Sequence, residues 1–158
     1  MYLESYLRDP GFPEFYILGI AFVCAITDLR EGKIYNVVTY PSIAIGILYS
    51  VFVGDREVMI ASLVGFSSAI VFFGLAAARG WIGGGDVKLF AAIGAIGGFF
   101  FLFDSLFNTF LIAAIYGLVL LLLDMGRLHP RRRQFRLGAF IFLGALLCVV
   151  RLPALGGA

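Results

Sequence analysis

The chain alternates between long apolar segments and short polar breaks. Six apolar segments run roughly over residues 12–27, 38–53, 58–78, 87–103, 106–123 and 138–152. Within each segment the apolar residues are continuous and do not alternate with a period of two, so helices are predicted and barrel strands are not. Helices also satisfy their own backbone hydrogen bonds in lipid. The pattern therefore predicts an all-α, polytopic membrane protein, a bundle of six transmembrane helices.

The apolar stretch over residues 87–123 requires a turn. As one helix it would extend about 55 Å at ~1.5 Å per residue, whereas the hydrocarbon core of a bilayer is about 30 Å thick. Asp104 and Ser105, with Asn108 close by, form a polar break where the chain can turn. We therefore predict that the chain folds back at residues 104–105.

Two features inside the apolar segments are predicted to serve packing. Gly94 and Gly98 have the small-xxx-small spacing that lets two helices approach closely. Cys24 and Cys148 both lie in apolar runs, and their spacing indicates neither a disulfide framework nor a zinc site. We interpret both cysteines as small residues that face the core.

The composition also favours lipid as the solvent of this chain. Of its 158 residues, 61% are hydrophobic and 14% are charged, and the mean hydropathy is +1.01. Soluble domains are about half apolar and about a quarter charged. One domain over residues 1–158 is the simplest organisation. Because acidic residues outnumber basic ones ahead of the first apolar segment, it lacks the basic start of a secretory signal and is predicted to be a spanning helix.

The basic residues are distributed unequally when the connections are placed alternately on two sides. One side holds nine of them: Arg30, Lys33, Arg79, Lys88, Arg127, Arg131, Arg132, Arg133 and Arg136. The other side holds three: Arg8, Arg56 and Arg151. The positive-inside rule then predicts that the first side is cytoplasmic and that both termini lie outside. We read the arginine-rich segment 127–136 as this topological signal, with membrane lipid as its surroundings and no nucleic-acid partner.

Two aspartates stand out on the predicted cytoplasmic side. Asp28 lies at the end of the first helix and Asp86 at the start of the fourth, so the topology places both at the same depth on one face. Two carboxyl groups within hydrogen-bonding reach share a proton, because they do not both ionise readily. The ionised one can then take a proton from water while the protonated one donates to a carbonyl oxygen. We predict that Asp28 and Asp86 form a catalytic pair.

Gly83, Gly84 and Gly85 directly precede Asp86. Such a run frees the backbone and lets an extended substrate chain approach closely. A phosphate-binding P-loop is rejected, because it needs four spacer residues before Gly-Lys-Ser/Thr. Lys88 follows on a different face of the helix, where lipid phosphates or an acidic substrate side chain are its two candidate partners.

A structural role is the alternative for both aspartates. Asp86 suits a cap at a helix start, whereas Asp28 at a helix end opposes the local dipole. Their shared face and the adjacent glycines favour function instead, since ionisable residues within membrane segments are functional candidates. No Ser-His or Cys-His pair supports a nucleophilic mechanism, and no metal site or cofactor is predicted.

The motif Gly83-Gly84-Gly85-Asp86, continued by Val-Lys-Leu, resembles that of the type IV prepilin peptidases, a family of GxGD aspartic membrane proteases. Asp28 and the residues after it are similar to the family's first motif, with Tyr35 in place of a proline. The resemblance implies that Asp28 and Asp86 are catalytic. It also implies substrate-binding or loop-shaping roles for Gly83, Gly84, Gly85, Lys88, Lys33 and Asn36.

The resemblance further implies an endopeptidase of a prokaryotic plasma (inner) membrane that cleaves leader peptides of prepilin-like or preflagellin-like proteins at the cytoplasmic face. The connection between the first two spans, about nine residues, is too short for the methyltransferase region of many members, so a minimal form is expected. Oligomeric state and the choice between a bacterial and an archaeal system stay open. A small transporter or proton-conducting subunit, or a structural assembly partner, are the other function classes considered.

Overall fold

The computed structural model describes residues 11–52, 55–124 and 137–156, with side chains up to residue 150 except that of Asp124. Every regular element in these ranges is a helix, as predicted. The helices are α1 (Phe12–Glu31), α2 (Asn36–Phe52), α3 (Arg56–Ala78), α4 (Gly84–Asp124) and α5 (Leu137–Gly156). The arginine-rich segment and residues 1–10 lie outside the described residues, and with them half of the basic residues that predicted the topology.

The expected count of six transmembrane helices is not confirmed. Three of the five described helices are long and apolar enough to cross a membrane, namely α1, α3 and α4. The helix α2 and the segment Leu137–Val150 of α5 are also apolar, but they are shorter than these three helices. The predicted segments 87–103 and 106–123 both belong to α4, so the structure describes five helices where six apolar segments were predicted.

The predicted break at residues 104–105 is wrong. Asp104 and Ser105 lie inside α4, and the one non-helical residue in this helix is Gly98, with φ 76° and ψ −175°. Polar side chains are accommodated within the helix here, because they bond to its backbone: Asn108 Nδ2 donates to the Asp104 carbonyl at 2.9 Å, and Thr109 Oγ1 donates to the Ser105 carbonyl at 2.6 Å. The positive φ at the break requires a glycine.

The second half of α4 runs antiparallel to α5. Near the start of α5, the rings of Phe140 and Tyr116 lie 5.3 Å apart. Further along, Gly144 lies against the Ser105 backbone, whose oxygen is 2.7 Å from the position of an added Cβ. Later residues of α5 therefore contact residues of α4 that lie closer to Gly98. The part of α4 after Gly98 thus runs back toward the end of the bundle at which α5 begins. The chain does fold back within this stretch, but it does so on a glycine.

Both aspartates lie where α5 begins. Asp28, in the last turn of α1, bonds to the backbone of Gly138, the second residue of α5. Asp86 is in the first turn of α4. We call this end of the bundle the aspartate end.

The helices α3 and α4 cross with their backbones in contact. A Cβ added to Gly65 would lie 2.5 Å from the Gly94 carbonyl oxygen and 2.7 Å from the Gly98 carbonyl carbon. At the same crossing, Ser62 Oγ donates to the Ala95 carbonyl at 2.5 Å. The close approach predicted from Gly94 and Gly98 is confirmed.

The core is small, and much of the apolar surface faces outward. Cys24 and Cys148 are buried in a cluster with Phe90, which confirms their interpretation as core residues. By contrast, Phe52 is 79% exposed and Phe72 is 70% exposed. Exposed side chains of this size fit lipid rather than water as the surrounding medium.

The α3–α4 crossing gives a stability prediction. Gly65→Ala places a methyl group against the α4 backbone, and overpacking of this kind costs about 1–3 kcal/mol. Gly74→Ala, in the same helix, is the matched control, because its Cβ meets nothing within 4 Å. We expect the melting temperature in detergent to fall for Gly65→Ala and to hold or rise for Gly74→Ala. Equal melting temperatures would contradict the described crossing.

Candidate active site

A short connection fixes the position of Asp28. The helix α1 ends at Glu31, and Gly32 caps it with a left-handed backbone (φ 67°) while its amide donates to the Asp28 carbonyl at 2.9 Å. Tyr35, at the position where the resembling family has proline, donates its hydroxyl to the Glu31 carboxylate, and this bond raises the pKa of the phenol. The turn is therefore closed by a side-chain bond, and α2 begins directly after it.

The carboxylate of Asp28 is held by the start of α5. Its Oδ2 accepts a hydrogen bond from the Gly138 amide at 2.9 Å, and the side chain is buried. A Cβ added to Gly138 would lie 2.9 Å from both Cβ and Oδ2 of Asp28. The first amides of a helix have no partner within the helix and favour a negative charge. Gly138 therefore positions Asp28, which the sequence analysis missed.

Asp86 caps the helix that carries it. Its Oδ2 accepts a hydrogen bond from the Gly83 amide at 3.2 Å. The capping role considered for Asp86 is thus real. A carboxylate can accept several hydrogen bonds through its two oxygens, so one capping bond leaves capacity for chemistry.

The two aspartates line one pocket of about 400 Å³. They are close enough to interact electrostatically. The pocket walls come from the α1–α2 connection and the glycine run, and its residues are Asp28, Gly32, Lys33, Ile34, Tyr35, Asn36, Gly83, Gly84, Gly85 and Asp86. With the exception of Lys88, every predicted site residue therefore lies at this pocket, which we call the aspartate pocket.

Gly85 lets the two walls of the aspartate pocket meet. A Cβ added to Gly85 would lie 2.9 Å from Cβ of Ile34 in the α1–α2 connection. A side chain at this position would push the two walls apart, and with them Asp86 from Asp28. This contact supports the loop-shaping role that was predicted for the glycine run.

Lys88 links α4 to α2. Its ammonium group donates to Asn36 Oδ1 at 2.8 Å and lies 5.0 Å from the ring centroid of Tyr40. Neither lipid phosphates nor a substrate carboxylate, the two candidate partners named above, is needed to explain this position. The contact directly joins the segment that follows Asp28 to the segment that follows Asp86.

The Lys88–Asn36 contact predicts a measurable coupling. Lys88→Met and Asn36→Leu should each lower the free energy of unfolding. The loss in the double variant should be smaller than the sum of the two single losses by about 1 kcal/mol, because both substitutions remove the same charge-assisted hydrogen bond. Denaturation of the four proteins in one detergent measures this coupling. Strictly additive losses would show that the contact contributes nothing.

Metal binding has no support in the part of the chain that the structure describes. There, no group of three or more His, Cys, Asp or Glu side chains is placed to hold an ion. The pocket instead presents two carboxyl groups, a lysine and an amide. These groups suit proton transfer to and from a bound chain.

Apolar helices of membrane-spanning length, with an aspartate pair at one end, define a multi-pass helical membrane protein with a candidate acid–base site. The chain belongs to the type IV leader peptidase family, whose model matches residues 15–122. This range includes both aspartates and confirms the resemblance drawn from the two motifs. It ends before α5, so Gly138 lies outside it.

A relative in Bacillus subtilis supports the same family. The chain is 32% identical over 126 residues to the prepilin leader peptidase/N-methyltransferase of Bacillus subtilis (strain 168). The aligned region covers 77% of this chain and 48% of the relative. The chain therefore spans about half the length of that relative. No solved structure matches the chain at a significant level.

Proposed function

We propose that this chain is a membrane aspartic endopeptidase that removes the leader peptide of type IV prepilin-like proteins. The observation that carries the proposal is the aspartate pocket, in which carboxyl groups from two separate helices, α1 and α4, come together. Family membership supports the same activity, because the relative in Bacillus subtilis is named as a prepilin leader peptidase.

In the proposed mechanism, Asp28 and Asp86 share one proton. The ionised carboxylate takes a proton from a water molecule, whose oxygen attacks the scissile carbonyl carbon, and the protonated carboxyl group donates to the carbonyl oxygen. The tetrahedral intermediate then collapses, and the leaving nitrogen takes a proton from the pair. No covalent bond to the protein forms. The proton belongs to the pair, so neither residue alone is assigned as the base.

We place the pocket at the cytoplasmic face of the inner membrane, with both termini outside. Of the described basic residues, Arg30, Lys33, Arg79 and Lys88 lie near the aspartate end, whereas Arg56 begins α3 at the other end. This asymmetry agrees with the positive-inside rule.

The substrate would be cleaved without subsequent methylation. The name of the Bacillus subtilis relative includes an N-methyltransferase, but only residues 32–35 connect α1 to α2 in this chain. Too few residues lie there to form a methyl-donor site. We therefore propose a peptidase of the minimal form, acting on prepilin-like or preflagellin-like proteins.

Co-expression with a prepilin-like protein tests this function. In a host that lacks its own leader peptidase, the expected result is a shorter product that appears only when this chain is present. Sequencing the new N-terminus of the product locates the cut. If a panel of bacterial prepilins and archaeal preflagellins remains uncut while this chain is folded in the membrane, the peptidase proposal fails, and the transporter or assembly role takes its place.

The shared proton predicts a bell-shaped pH profile for cleavage. The rate falls at low pH because the ionised carboxylate becomes protonated, and it falls at high pH because the pair loses the proton that it donates. Initial rates across the acidic-to-neutral range, with the folded fraction measured at each pH, provide the check. A flat profile for a protein that stays folded would contradict an aspartate pair.

A further inference from the structure

A second, apolar groove lies beside the aspartate pocket. Its walls are Tyr40 and Ile43 from α2 and Phe66 and Ile70 from α3, and Val87 of α4 contributes to its lining. It has a volume of about 360 Å³. We call it the α2–α3 groove.

The α2–α3 groove is open and is not filled by the protein's own side chains. Tyr40 is 54% exposed and Ile70 is 41% exposed. Gly74 also lines the groove, and a Cβ added there would meet nothing within 4 Å. An apolar groove that is open along helices in lipid can take an apolar segment from the bilayer.

The α2–α3 groove is continuous with the aspartate pocket. Gly84 lines both, and a Cβ added to it would meet nothing within 4 Å, so the boundary between them is open. Lys88 lines the groove and donates to Asn36, which lines the pocket. A chain that lies in the groove can therefore pass directly into the aspartate pocket.

We propose that the α2–α3 groove binds the apolar segment of the substrate next to the scissile bond, while the adjoining extended residues enter the aspartate pocket. This inference rests on the proposed peptidase function. A volume of about 360 Å³ is at the low end of the ~300–1,000 Å³ of typical ligand pockets, so it suits a few side chains from one face of a helix. The groove would hold the membrane-embedded part of the substrate in register with the two carboxyl groups.

Filling the α2–α3 groove should weaken substrate binding. Gly74→Phe directs a ring into open space in the groove. Gly19→Phe is the matched control, because Gly19 is likewise a helical glycine whose added Cβ would meet nothing within 4 Å. For a substrate that carries its apolar segment, we expect kcat/KM to fall at least tenfold in Gly74→Phe, mainly through KM, and to match the wild type in Gly19→Phe. Equal kcat/KM values for the two variants, both folded, would overturn the proposal.

Cross-linking tests binding without depending on cleavage. In an Asp86→Asn background with Cys24 and Cys148 replaced by alanine, Gly74→Cys should form a disulfide with a single cysteine in the substrate's apolar segment under mild oxidation, and Gly19→Cys should not. Cross-linking at both positions, or at neither, would contradict the proposal that the groove binds the substrate. If a lipid chain occupies the groove, neither position should form a cross-link.

The two proposals fail separately. If the wild type cleaves the substrate but Gly74→Cys forms no cross-link, the groove is wrong and the peptidase stands. If the cross-link is specific to Gly74→Cys but the wild type cleaves nothing, the groove binds the segment and the peptidase fails.

Discussion

Asp28→Asn and Asp86→Asn are each expected to reduce leader cleavage by about a thousandfold or more. Asparagine has nearly the same shape as aspartate, but it neither accepts a proton from water nor shares one. General acid–base groups commonly contribute about a hundred- to ten-thousandfold to a rate, and groups that act as one unit lose the effect together. The double variant should therefore cleave no more slowly than either single variant. Processing of a prepilin-like substrate in membranes measures all three.

The control for this prediction is an aspartate away from the pocket. Asp104 lies in α4, near the break at Gly98, and is exposed. Asp104→Asn should cleave as the wild type does, and all the variants should reach similar levels in the membrane. If Asp28→Asn and Asp86→Asn both retain processing, the aspartates are structural and the proposed site is wrong.

Gly138→Ala is expected to have the second largest effect. The added methyl group would lie 2.9 Å from the Asp28 carboxylate oxygen and would displace it. A displacement of about 1 Å in a catalytic group can reduce a rate about a hundredfold. We expect kcat to fall by about this factor while KM stays near the wild-type value, because Gly138 acts through Asp28 and not through the bound segment.

The readout must separate positioning from stability. Kinetics with purified protein give kcat and KM, and thermal unfolding gives the folded fraction at the assay temperature. Gly19→Ala, an open glycine of α1, is the control and should resemble the wild type. If Gly138→Ala has wild-type kcat, or if its losses follow the folded fraction alone, Gly138 does not position Asp28.

The location of Asp28 and Asp86 at one end of the bundle could be predicted from the sequence, because charged residues are rare and informative in an apolar chain. Each lies at a helix end, and alternation of the helices brings those ends to one face. The glycine run before Asp86 also indicates a functional site, because three residues without side chains leave space next to a carboxylate. These features need only the order of the helices, not their packing.

The contacts between distant residues could not be predicted in this way. Gly138 holds Asp28 through a backbone amide, a group that every residue except proline possesses, so no side chain marks it. The bond from Lys88 to Asn36 depends on how α2 and α4 cross, which periodicity does not determine. The break in α4 was predicted wrongly for a related reason. Asp104 was expected to turn the chain, but Asn108 bonds to its carbonyl within the helix, and Gly98 supplies the turn.

The most direct test of the aspartate mechanism is the mass of the products that the purified protein forms in water labelled with heavy oxygen. A prepilin-like substrate is incubated in detergent with the wild type and with Asp86→Asn, and both fragments are weighed by mass spectrometry. The aspartate mechanism predicts one cut at the end of the leader, heavy oxygen in the leader's new carboxyl group, and intact substrate with Asp86→Asn. Intact substrate with the folded wild type, or the same fragments from Asp86→Asn at the wild-type rate, would contradict it.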